Sequence, residues 1–287
     1  RSVPLTLHRG VAALRCHHCA YTIPIPNACP ACDGISLGAW GAGTEQVEAA
    51  LQEILPRARI GRMDRDTTSR KGAHREILAA WERREYDVLI GTQMVTKGHD
   101  VHSVTLVGVL MADLSLNFPD FRAAERTFQL VAQVAGRAGR GDRPGVVIVQ
   151  TYQPEHVSLR CAEHHDYASF AEHELGARRE LCYPPYARMV LLRCEGATEE
   201  ATERIAHALH GAAAEAARLP GAALMITGPA PAPLERLRRR QRWQLLLRAA
   251  SGTAVRRAAR YARDRVAKQA RAADVRVIVD VDPYTML

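Results

Sequence analysis

Short apolar runs that alternate with helical segments constrain the fold of this chain more than any other feature of its sequence. Four segments are predicted to be strands, at residues 58–64, 86–91, 103–113 and 145–152, and the second is a short apolar run bounded by charge and glycine. Apolar residues at helical spacing occur in residues 44–55, in the segment through Trp81, and in residues 121–133. Strands that alternate with helices predict βαβ units and a parallel sheet, whose strands are buried and whose ligands bind beyond the strands' carboxyl ends. We therefore expect an α/β domain over residues 36–153.

The rest of the chain predicts a second domain of a different kind. Residues 154–184 have the pattern of a helical connector, and Pro184-Pro185 marks a boundary. Beyond it we expect a strand, a helix, two strands, a helix and a strand, at residues 186–195, 198–217, 222–228, 242–249, 253–271 and 274–281. The order βαββαβ is the ferredoxin-like arrangement, which we predict for residues 185–287.

Composition and charge narrow the class of protein. The chain has 287 residues, of which 47% are hydrophobic and 24% charged, enough for two domains with separate cores. No apolar run is long enough to cross a membrane and no signal-peptide pattern opens the chain, so we expect a cytoplasmic protein without a membrane partner. The net charge of +8 favours an anionic partner, nucleic acid first.

The seven cysteines indicate an intracellular metal protein rather than a disulfide scaffold. Four of them form two Cys-x-x-Cys pairs in CHHCAYTIPIPNACPAC, namely Cys16, Cys19, Cys29 and Cys32. The other three stand alone, and we expect them to be small buried apolar residues: Cys161, Cys182 and Cys194.

The two pairs predict a zinc-binding region over residues 1–35. Zinc takes four thiolates in a tetrahedron, and each Cys-x-x-Cys turn supplies two. A self-contained ribbon separates its pairs by about 15–20 residues, whereas nine residues separate these. The pairs either share one zinc or are halves of a larger arrangement. His17 and His18 are further possible ligands, although side chains inside such a turn more often point outward.

Two glycine-containing loops carry candidate phosphate-binding groups. In GTQMVTKGHD, residues 91–100, hydroxyl, amide and ammonium groups follow a strand at Thr92, Gln93, Thr96 and Lys97, and Gly98 permits close approach of a ligand. The alternative is an ordinary polar loop.

The second loop, QVAGRAGRG at residues 133–141, is more specific. Gln133, Gly136, Arg137 and Arg140 fit the pattern Q-x-x-G-R-x-x-R. Two guanidinium groups three residues apart near a helix end can both point at one phosphate chain, as an arginine finger does when it stabilises a transferring γ-phosphate. The alternative is a flexible basic loop.

A third candidate is the basic run ERLRRRQRW at residues 235–243. Its arginines are candidates for neutralising DNA phosphates: Arg236, Arg238, Arg239, Arg240 and Arg242. Trp243 has the chemistry to stack on a base, but we expect it in the core. The alternative for the arginines is a solvated basic hairpin.

Together these segments resemble the primosomal protein N′ (PriA) family, the replication-restart DNA helicases of superfamily 2. The resemblance is carried by the cysteine region and by RMDRDTTSRKGA (62–73), LIGTQMVTKGHD (89–100), FPDFRAAERTFQLVAQVAGRAGRG (118–141), GPAPAPLERLRRRQRWQLLLR (228–248) and VDVDP (279–283). It implies a RecA-like second helicase lobe with a zinc-binding insert, followed by the family's C-terminal DNA-binding domain.

The resemblance also implies roles for individual residues. Thr92, Gln93 and Lys97 correspond to the DNA-facing side of helicase motif V, and Gly98 and Asp100 to its nucleotide side. In motif VI the nucleotide-facing residues are Gln133, Gly136, Arg137 and Arg140, with Arg140 as the finger. For Asp64, Arg65 and Asp66 it implies a structural or lobe-interface role.

For the metal, the resemblance implies two zinc ions held by four interleaved pairs. Cys16 and Cys19 would share one ion with a nearer pair that precedes this sequence, and Cys29 and Cys32 the other with a farther pair. The four cysteines would then be two half-sites.

The sequence departs from the helicase pattern in one respect. It contains neither G-x-x-x-x-G-K-[ST] nor Asp-Glu-x-His. We expect the full protein to couple ATP·Mg²⁺ hydrolysis to 3′→5′ unwinding at stalled or branched forks, and to promote primosome assembly with single-stranded-DNA-binding protein. We expect the 287-residue chain alone to be inactive. The alternatives are a non-catalytic DNA-binding accessory protein of replication and a zinc-ribbon interaction module.

Overall fold

The structure is a computed structural model that describes residues 6–8, 13–15, 22–28, 32–35, 43–64, 66–92, 95, 104–139, 144–218 and 223–286. Contacts between residues divide the chain into two compact units. The first comprises Arg1–Leu37, Pro119–Phe121 and Glu174–Leu287, and the second Gly38–Phe118 and Arg122–His173.

The first unit begins with three short strands: β1 (Thr6–His8), β2 (Ala13–Arg15) and β3 (Thr22–Pro24). They form an antiparallel sheet in the order β1-β2-β3. Arg15, at the end of β2, lies opposite Thr22 at the start of β3. The connection between these two residues contains Cys16 and Cys19, which themselves lie outside the described residues.

The second unit contains the predicted alternation of helices and strands. Its first half has α1 (Thr44–Ile54), β4 (Ile60–Met63), α2 (Ala73–Glu82) and β5 (Val88–Gly91). Its second half has β6 (Leu106–Val109), α3 (Asp113–Leu116), α4 (Ala123–Ala135) and β7 (Val146–Val149). Strands β4 and β5 pair in parallel, as do β6 and β7. The predicted parallel pairing is therefore confirmed, although the described strands form two separate pairs rather than one sheet.

Among the residues that the structure describes, apolar side chains cover the β6–β7 pair on one face only. On that face, Val109 and Val149 pack against a core that contains Phe128 of α4. On the other, Leu106 is 61% exposed and Ile148 59% exposed. We expected buried strands, and within the described residues only one face of this pair is packed, because α4 and its neighbours pack against that side alone.

Two helices follow the second half, as predicted for the connector. They are α5 (Val157–Glu163) and α6 (Tyr167–Glu180). Leu159 of α5 and Phe170 of α6 belong to the same core as Phe128, and the Phe128 and Phe170 rings stack with centroids 4.3 Å apart. Packing of an apolar face, more than helix propensity, holds such short helices in place.

The C-terminal part of the first unit is a four-stranded antiparallel sheet with two helices. Its elements are β8 (Arg188–Gly196), α7 (Glu199–Ala217), β9 (Met225–Leu237), β10 (Arg240–Ala249), α8 (Gly252–Ala272) and β11 (Arg276–Val281). The strand order is β11-β8-β10-β9. Each helix starts at a hydroxyl N-cap, where Thr198 accepts from the Ala201 amide and Ser251 from the Ala254 amide.

Both helices pack on one face of this sheet. The core there is built of apolar side chains and includes Leu192 of β8, Leu209 of α7, Leu247 of β10 and Val266 of α8. A smaller cluster on alternate residues of the same strands contains Met189 and Leu191 of β8, Leu246 and Met286. Period-two alternation places successive side chains on opposite faces, which is why one strand serves both clusters.

Strand β9 is longer than the sequence predicted. We expected residues 222–228, whereas the strand runs from Met225 to Leu237 through Pro229, Pro231 and Pro233. These prolines make a strand improbable from sequence, because proline cannot donate to a ladder. They are accommodated because β9 is an edge strand whose pairing with β10 is interrupted by register shifts.

Within the described residues, none of the helices has both the length and the apolarity needed to cross a membrane.

Candidate nucleotide, nucleic-acid and metal sites

The first predicted phosphate-binding loop starts at the carboxyl end of β5. Gly91 ends this strand, and a Cβ atom added there would lie 2.6 Å from the backbone oxygen of Met63 and would also collide with the Val95 side chain. Glycine is therefore the only residue that fits at position 91, where β5 passes close to β4. Thr92 follows it with an exposed side chain. The remaining predicted residues of this loop lie outside the described residues: Gln93, Thr96, Lys97, Gly98 and Asp100.

The second predicted loop begins at the end of α4. Gln133 lies in the last turn with an exposed side chain, and Arg137 is half-buried just beyond the helix end. The turn continues past Ala135, because the Arg137 amide donates to the Val134 carbonyl over 3.0 Å. Gln133 and Arg137 thus lie about one turn apart at the end of α4, and their shared role at a nucleotide stays a prediction. Gly136 lies between them as the C-cap residue.

The base of this loop is closed by two glycines. The Gly139 amide donates to the Val104 carbonyl over 3.0 Å, and the backbone of Gly139 has φ of +76°. A Cβ atom on Gly139 would lie 2.8 Å from the Gly145 nitrogen. Side chains at either position would force the two segments apart. Arg140, the predicted finger, lies between these glycines and outside the described residues.

The two loops differ in which end of the strands they occupy. Gly91 is the last residue of β5, whereas Val104 and Gly145 precede β6 and β7. Gly91 thus lies at the carboxyl end of its strand, the edge at which α/β sheets bind ligands, whereas the loop after α4 lies at the amino ends of β6 and β7. The reason is that a helix returning over parallel strands runs opposite to them, so α4 ends where β7 begins.

Asp64, for which a structural or lobe-interface role is predicted, is the centre of a hydrogen-bond network at the end of β4. Its side chain is buried and accepts from the Thr44 hydroxyl over 2.7 Å and from the Thr67 amide over 2.9 Å. Arg62 forms an ion pair with it at 3.0 Å. Burial by itself would raise the pKa of Asp64, but the hydrogen bonds from Thr44 and Thr67 and the charge of Arg62 outweigh it and hold the pKa below its usual value. Asp64 thereby fastens the start of α1 to the turn after β4.

Sequence reasoning missed a second buried carboxylate, Asp113. It lies at the start of α3, is 2% exposed, and accepts from the Thr151 hydroxyl and the Tyr152 amide, both over about 3.1 Å. Thr151 and Tyr152 follow β7, so Asp113 links the segments after β6 and β7. An aspartate directly after a buried apolar run is the signal that would have pointed to it.

The basic run forms the hairpin between β9 and β10. Arg238 and Arg239 are its two turn residues, with φ of 50° and 67°, between the paired residues Leu237 and Arg240. Positive φ at both central residues is the geometry of a two-residue hairpin turn. Arg236, Arg238 and Arg239 are exposed.

Two arginines of the run bind other residues of the same domain. Arg240 donates to the Glu195 carbonyl over 3.2 Å and to the Asp274 carboxylate over 3.3 Å. Arg242 is 2% exposed, donates to the Leu234 carbonyl and pairs with Glu195 at 3.3 Å. Burial, with the charge of Arg193, lowers the pKa of Arg242. The prediction of a DNA contact for Arg242 is therefore corrected, because its guanidinium is buried and bound to Leu234 and Glu195.

Other predictions for this domain concern Trp243 and the single cysteines. Trp243 packs against the helix-side core, as expected. Cys194 is fully buried, and burial raises the pKa of its thiol to about 12. Cys161 and Cys182 are only partly buried.

Of the four predicted zinc ligands, the described residues include Cys32 alone. Its thiol is free and exposed. Cys16, Cys19 and Cys29 lie outside the described residues, and within the described part no three metal-ligating side chains come together. The donor set itself suits zinc, because two Cys-x-x-Cys turns offer four soft thiolates.

Two parts of this chain match known protein families. Residues 2–24 match the PriA DNA helicase Cys-rich region (CRR) domain, and residues 179–284 match the Primosomal protein N C-terminal domain. The first match supports zinc binding by the cysteine region. A crystal structure of a hydantoinase/carbamoylase family amidase from Burkholderia ambifaria aligns over 34% of this chain and 27% of that one, at 20% identity and a TM-score of 0.25, too low to bear on the fold.

Sequence relatives cover nearly the whole chain. The "Replication restart protein PriA" of Bacillus subtilis is 42% identical over 289 residues, which is 99% of this chain and 35% of that protein. Those of Synechocystis sp. and Treponema pallidum are 46% and 40% identical over 83% and 100% of this chain and 28% and 42% of their own lengths. The chain thus spans about a third of the length of the relatives it matches. It belongs to the PriA family of replication restart proteins, of which it carries the C-terminal domain and part of the Cys-rich region.

Proposed function

We propose that this chain is part of an ATP-dependent 3′→5′ DNA helicase that acts at stalled or branched replication forks and promotes primosome assembly, in the cytoplasm at the nucleoid. The observation that carries the proposal is the 42% identity to a replication restart protein over 99% of the chain. That identity spans the two glycine-containing loops. DNA, single-stranded-DNA-binding protein and other primosome proteins are the partners we propose, and ATP·Mg²⁺ the substrate.

In this function the loop after α4 faces the nucleotide. Arg140 is the arginine finger, and Arg137, Gln133 and Gly136 support the phosphates. The proposal is supported by the position of Gln133 and Arg137 at the end of α4 and by the bond from the Gly139 amide to Val104, which fixes the start of this loop. A finger must be held in place before the transition state forms.

The loop after β5 couples the nucleotide to DNA. Thr92, Gln93 and Lys97 face DNA, and Gly98 and Asp100 lie toward the nucleotide. Gly91 supports this role, because the close crossing over Met63 fixes the direction in which the loop leaves the strand.

We further propose the domain assignment that these roles require. Residues 36–153 are a RecA-like second lobe, 154–184 a connector and 185–287 a ferredoxin-like DNA-binding domain. The parallel pairs β4–β5 and β6–β7 support the first, and the antiparallel order β11-β8-β10-β9 with both helices on one face supports the last.

For the cysteine region, residues 1–35, we propose two half-sites of an interleaved two-zinc arrangement. Each Cys-x-x-Cys turn would then need a further pair outside this sequence. The test is the zinc content of the 287-residue chain. Four cysteines that share one ion bind one zinc per chain tightly, and loss of either pair, Cys16 with Cys19 or Cys29 with Cys32, abolishes it. Half-sites bind less than one, which is the result we expect.

ATP hydrolysis tests the helicase proposal in two steps. The 287-residue chain has no phosphate-cradling G-x-x-x-x-G-K-[ST] loop, so we expect it to be inactive alone. We expect a chimera in which it replaces the matching segment of the Bacillus subtilis protein to hydrolyse ATP in the presence of DNA and to unwind forks. In that chimera, R140A lowers the hydrolysis rate by about 10³-fold or more without weakening DNA binding. Exposed Arg75 on α2 provides the matched control, R75A.

The outcomes separate the candidate functions. Appreciable hydrolysis by the 287-residue chain alone would overturn its assignment as a lobe without the phosphate loop. A folded chimera that binds DNA but hydrolyses no ATP would favour the non-catalytic DNA-binding accessory. Full activity of the R140A chimera would remove Arg140 from the catalytic role.

A further inference from the structure

The basic charge of this chain is concentrated on one helix, α8, which contains none of the motifs described above. Helix α8 carries seven basic residues and one acidic residue, a net charge of +6 out of +8 for the whole chain. Its neighbour α7, which packs on the same face of the sheet, carries four glutamates and one arginine, a net charge of −3. Charge placed for solubility alone would be spread over both helices; here it is segregated.

The basic residues of α8 lie on its solvent side. The buried side is formed by small residues, mainly alanines, such as Ala258, Ala262 and Ala270 with Val255 and Val266. All seven cations are exposed, and we call them the α8 basic face: Arg256, Arg257, Arg260, Arg263, Arg265, Lys268 and Arg271. Positions such as 256, 260 and 263 are three or four apart and form a row along the helix.

Few of these cations are neutralised by the protein. Arg263 pairs with Asp264 at 2.7 Å, and Arg265 lies 3.8 Å from Glu215 of α7. No acidic group among the described residues lies within ion-pair distance of the other five. Such a surface repels itself, and binding of a polyanion relieves that repulsion.

The cleft at the C-terminal end of α8 is a weaker anion site than the face itself. About 370 Å³ in volume, it is lined by Arg240, Arg271 and Arg276, but also by Glu195 and Asp274. Asp274 already binds Arg240. The two acidic side chains and the negative end of the helix dipole offset the three cations there. The polyanion surface is therefore the exposed length of the helix.

We propose that the α8 basic face binds the phosphate backbone of DNA, and that it supplies more of the domain's DNA affinity than the β9–β10 hairpin tip does. This inference rests on the proposed DNA-binding function of residues 185–287. From Arg256 to Arg271 the helix rises roughly 22 Å, at ~1.5 Å per residue. That length matches about six base-pair steps, at ~3.4 Å per phosphate along each strand.

The chemistry of the face favours nucleic acid over an acidic protein. Protein interfaces have an apolar or aromatic centre inside a polar rim. The only aromatic residue on this side of α8 is Tyr261, which is 37% exposed and whose hydroxyl donates to Glu215 over 3.0 Å. A solvated row of cations without an apolar anchor is typical of backbone contacts, which carry no sequence information.

The test compares two variants of the 287-residue chain that lose the same charge. One replaces Arg256, Arg260 and Lys268 by glutamine, a good helix former, and the other replaces Arg236, Arg238 and Arg239. Fluorescence anisotropy with a labelled duplex and a labelled fork gives the affinity between 50 and 400 mM salt. We expect the α8 variant to lose about tenfold or more in affinity at 100 mM salt, and its slope of log K against log [salt] to become less steep by about 2–3. The hairpin variant should change both quantities less.

Each of the other possible outcomes contradicts one part of the proposal. An α8 variant with the wild-type salt slope overturns this inference and leaves the proposed DNA binding intact. A wild-type chain that binds no DNA at any salt concentration overturns both. An α8 variant that loses binding to poly-glutamate but keeps its affinity for DNA would identify a protein-binding surface instead. Circular dichroism and the thermal midpoint of each variant establish that the fold is retained, as expected for exposed helix positions.

Discussion

Removing the charge of Asp64 should destabilise the second unit by about 2–4 kcal/mol. One carboxylate oxygen accepts from the Asp66 and Thr67 amides, and the other accepts from Thr44 and faces Arg62. Asparagine keeps the first oxygen as an acceptor. In place of the second oxygen it puts an amide NH₂ group, which is a donor and would face two other donors, the Thr44 hydroxyl and the Arg62 guanidinium. A hydrogen bond to a charged group contributes about 1.5–3 kcal/mol, and the misplaced donor adds about 1–3 kcal/mol of desolvation. Arg62 keeps Glu48 at 3.1 Å, so it is not left unpaired, which limits the loss.

The assay is urea unfolding followed by the fluorescence of Trp81, which lies in α2 of the second unit. Replacing Trp40 and Trp243 by phenylalanine leaves Trp81 as the single reporter. The free energy of unfolding is measured for the wild-type background and for D64N between pH 3 and pH 8.

The pH dependence has a definite sign. Because the folded-state pKa of Asp64 is lowered, its contribution is present above the unfolded value of about 4 and disappears as the pH falls through the folded pKa. The difference between wild type and D64N should therefore be constant above about pH 5 and shrink below about pH 4.

An exposed aspartate with similar partners provides the control. Asp87 pairs with Arg59 at 2.8 Å, and the hydrogen bond from the Arg59 side chain lowers the pKa of Asp87 to about 2, but 46% of its side chain is exposed. Solvent screens such pairs, so D87N should cost less than D64N. A D64N variant as stable as wild type, or no more affected than D87N, would refute the assigned role of the Asp64 network.

Three further predictions test local features. G91A should destabilise the second unit by about 1–3 kcal/mol through its collision with a strand carbonyl, whereas G108A, which meets no heavy atom within 4 Å, should change the unfolding free energy by less than about 0.5 kcal/mol. Replacing Arg238-Arg239 by Asn-Gly should raise the unfolding free energy by about 1–2 kcal/mol, because arginine is strained at positive φ and Asn-Gly is not. Cys194, with its pKa raised to about 12, should resist thiol reagents at pH 8 until denaturant unfolds the domain.

Each of these has a result that would contradict it. Equal stability of the two alanine variants would mean that β5 relaxes around Gly91. An Asn-Gly hairpin less stable than wild type would show that the arginine side chains contribute contacts that outweigh the strain. Labelling of Cys194 at the rate of an exposed thiol in native buffer would place it outside the core.

Residues that the sequence groups into one motif have different environments in the folded protein. The run ERLRRRQRW supplies exposed turn residues at Arg238 and Arg239 but a buried ion pair at Arg242. The sequence contains no signal for this difference, because Glu195, the partner of Arg242, comes from β8, an earlier strand brought alongside by the sheet. Conversely, the cations of the α8 basic face are spread from Arg256 to Arg271, and only the helix brings them onto one surface.

The sequence alone determined those features that depend on residues close together in the chain. The alternation of strand-like segments and helical periods predicted the strands and longer helices of the second unit within a few residues, although not α3. Hydroxyl caps such as Ser251 also act on amides only three positions away. The cysteine pairs and the two glycine-containing loops carried the family resemblance. Each of these depends on side chains only a few positions apart, so local geometry is enough.

Tertiary structure decided which side chains are exposed and which end of a strand a loop occupies. It placed the loop after α4 at the amino ends of β6 and β7 and carried β9 through three prolines at a sheet edge. Within the described part of the chain it also left one face of the β6–β7 pair exposed. Burial depends on elements that meet across long sequence separations, and no window of the sequence contains both partners. The pairing of β8 with β10, rather than the composition of either, is what buries Arg242 and leaves the hairpin arginines in solvent.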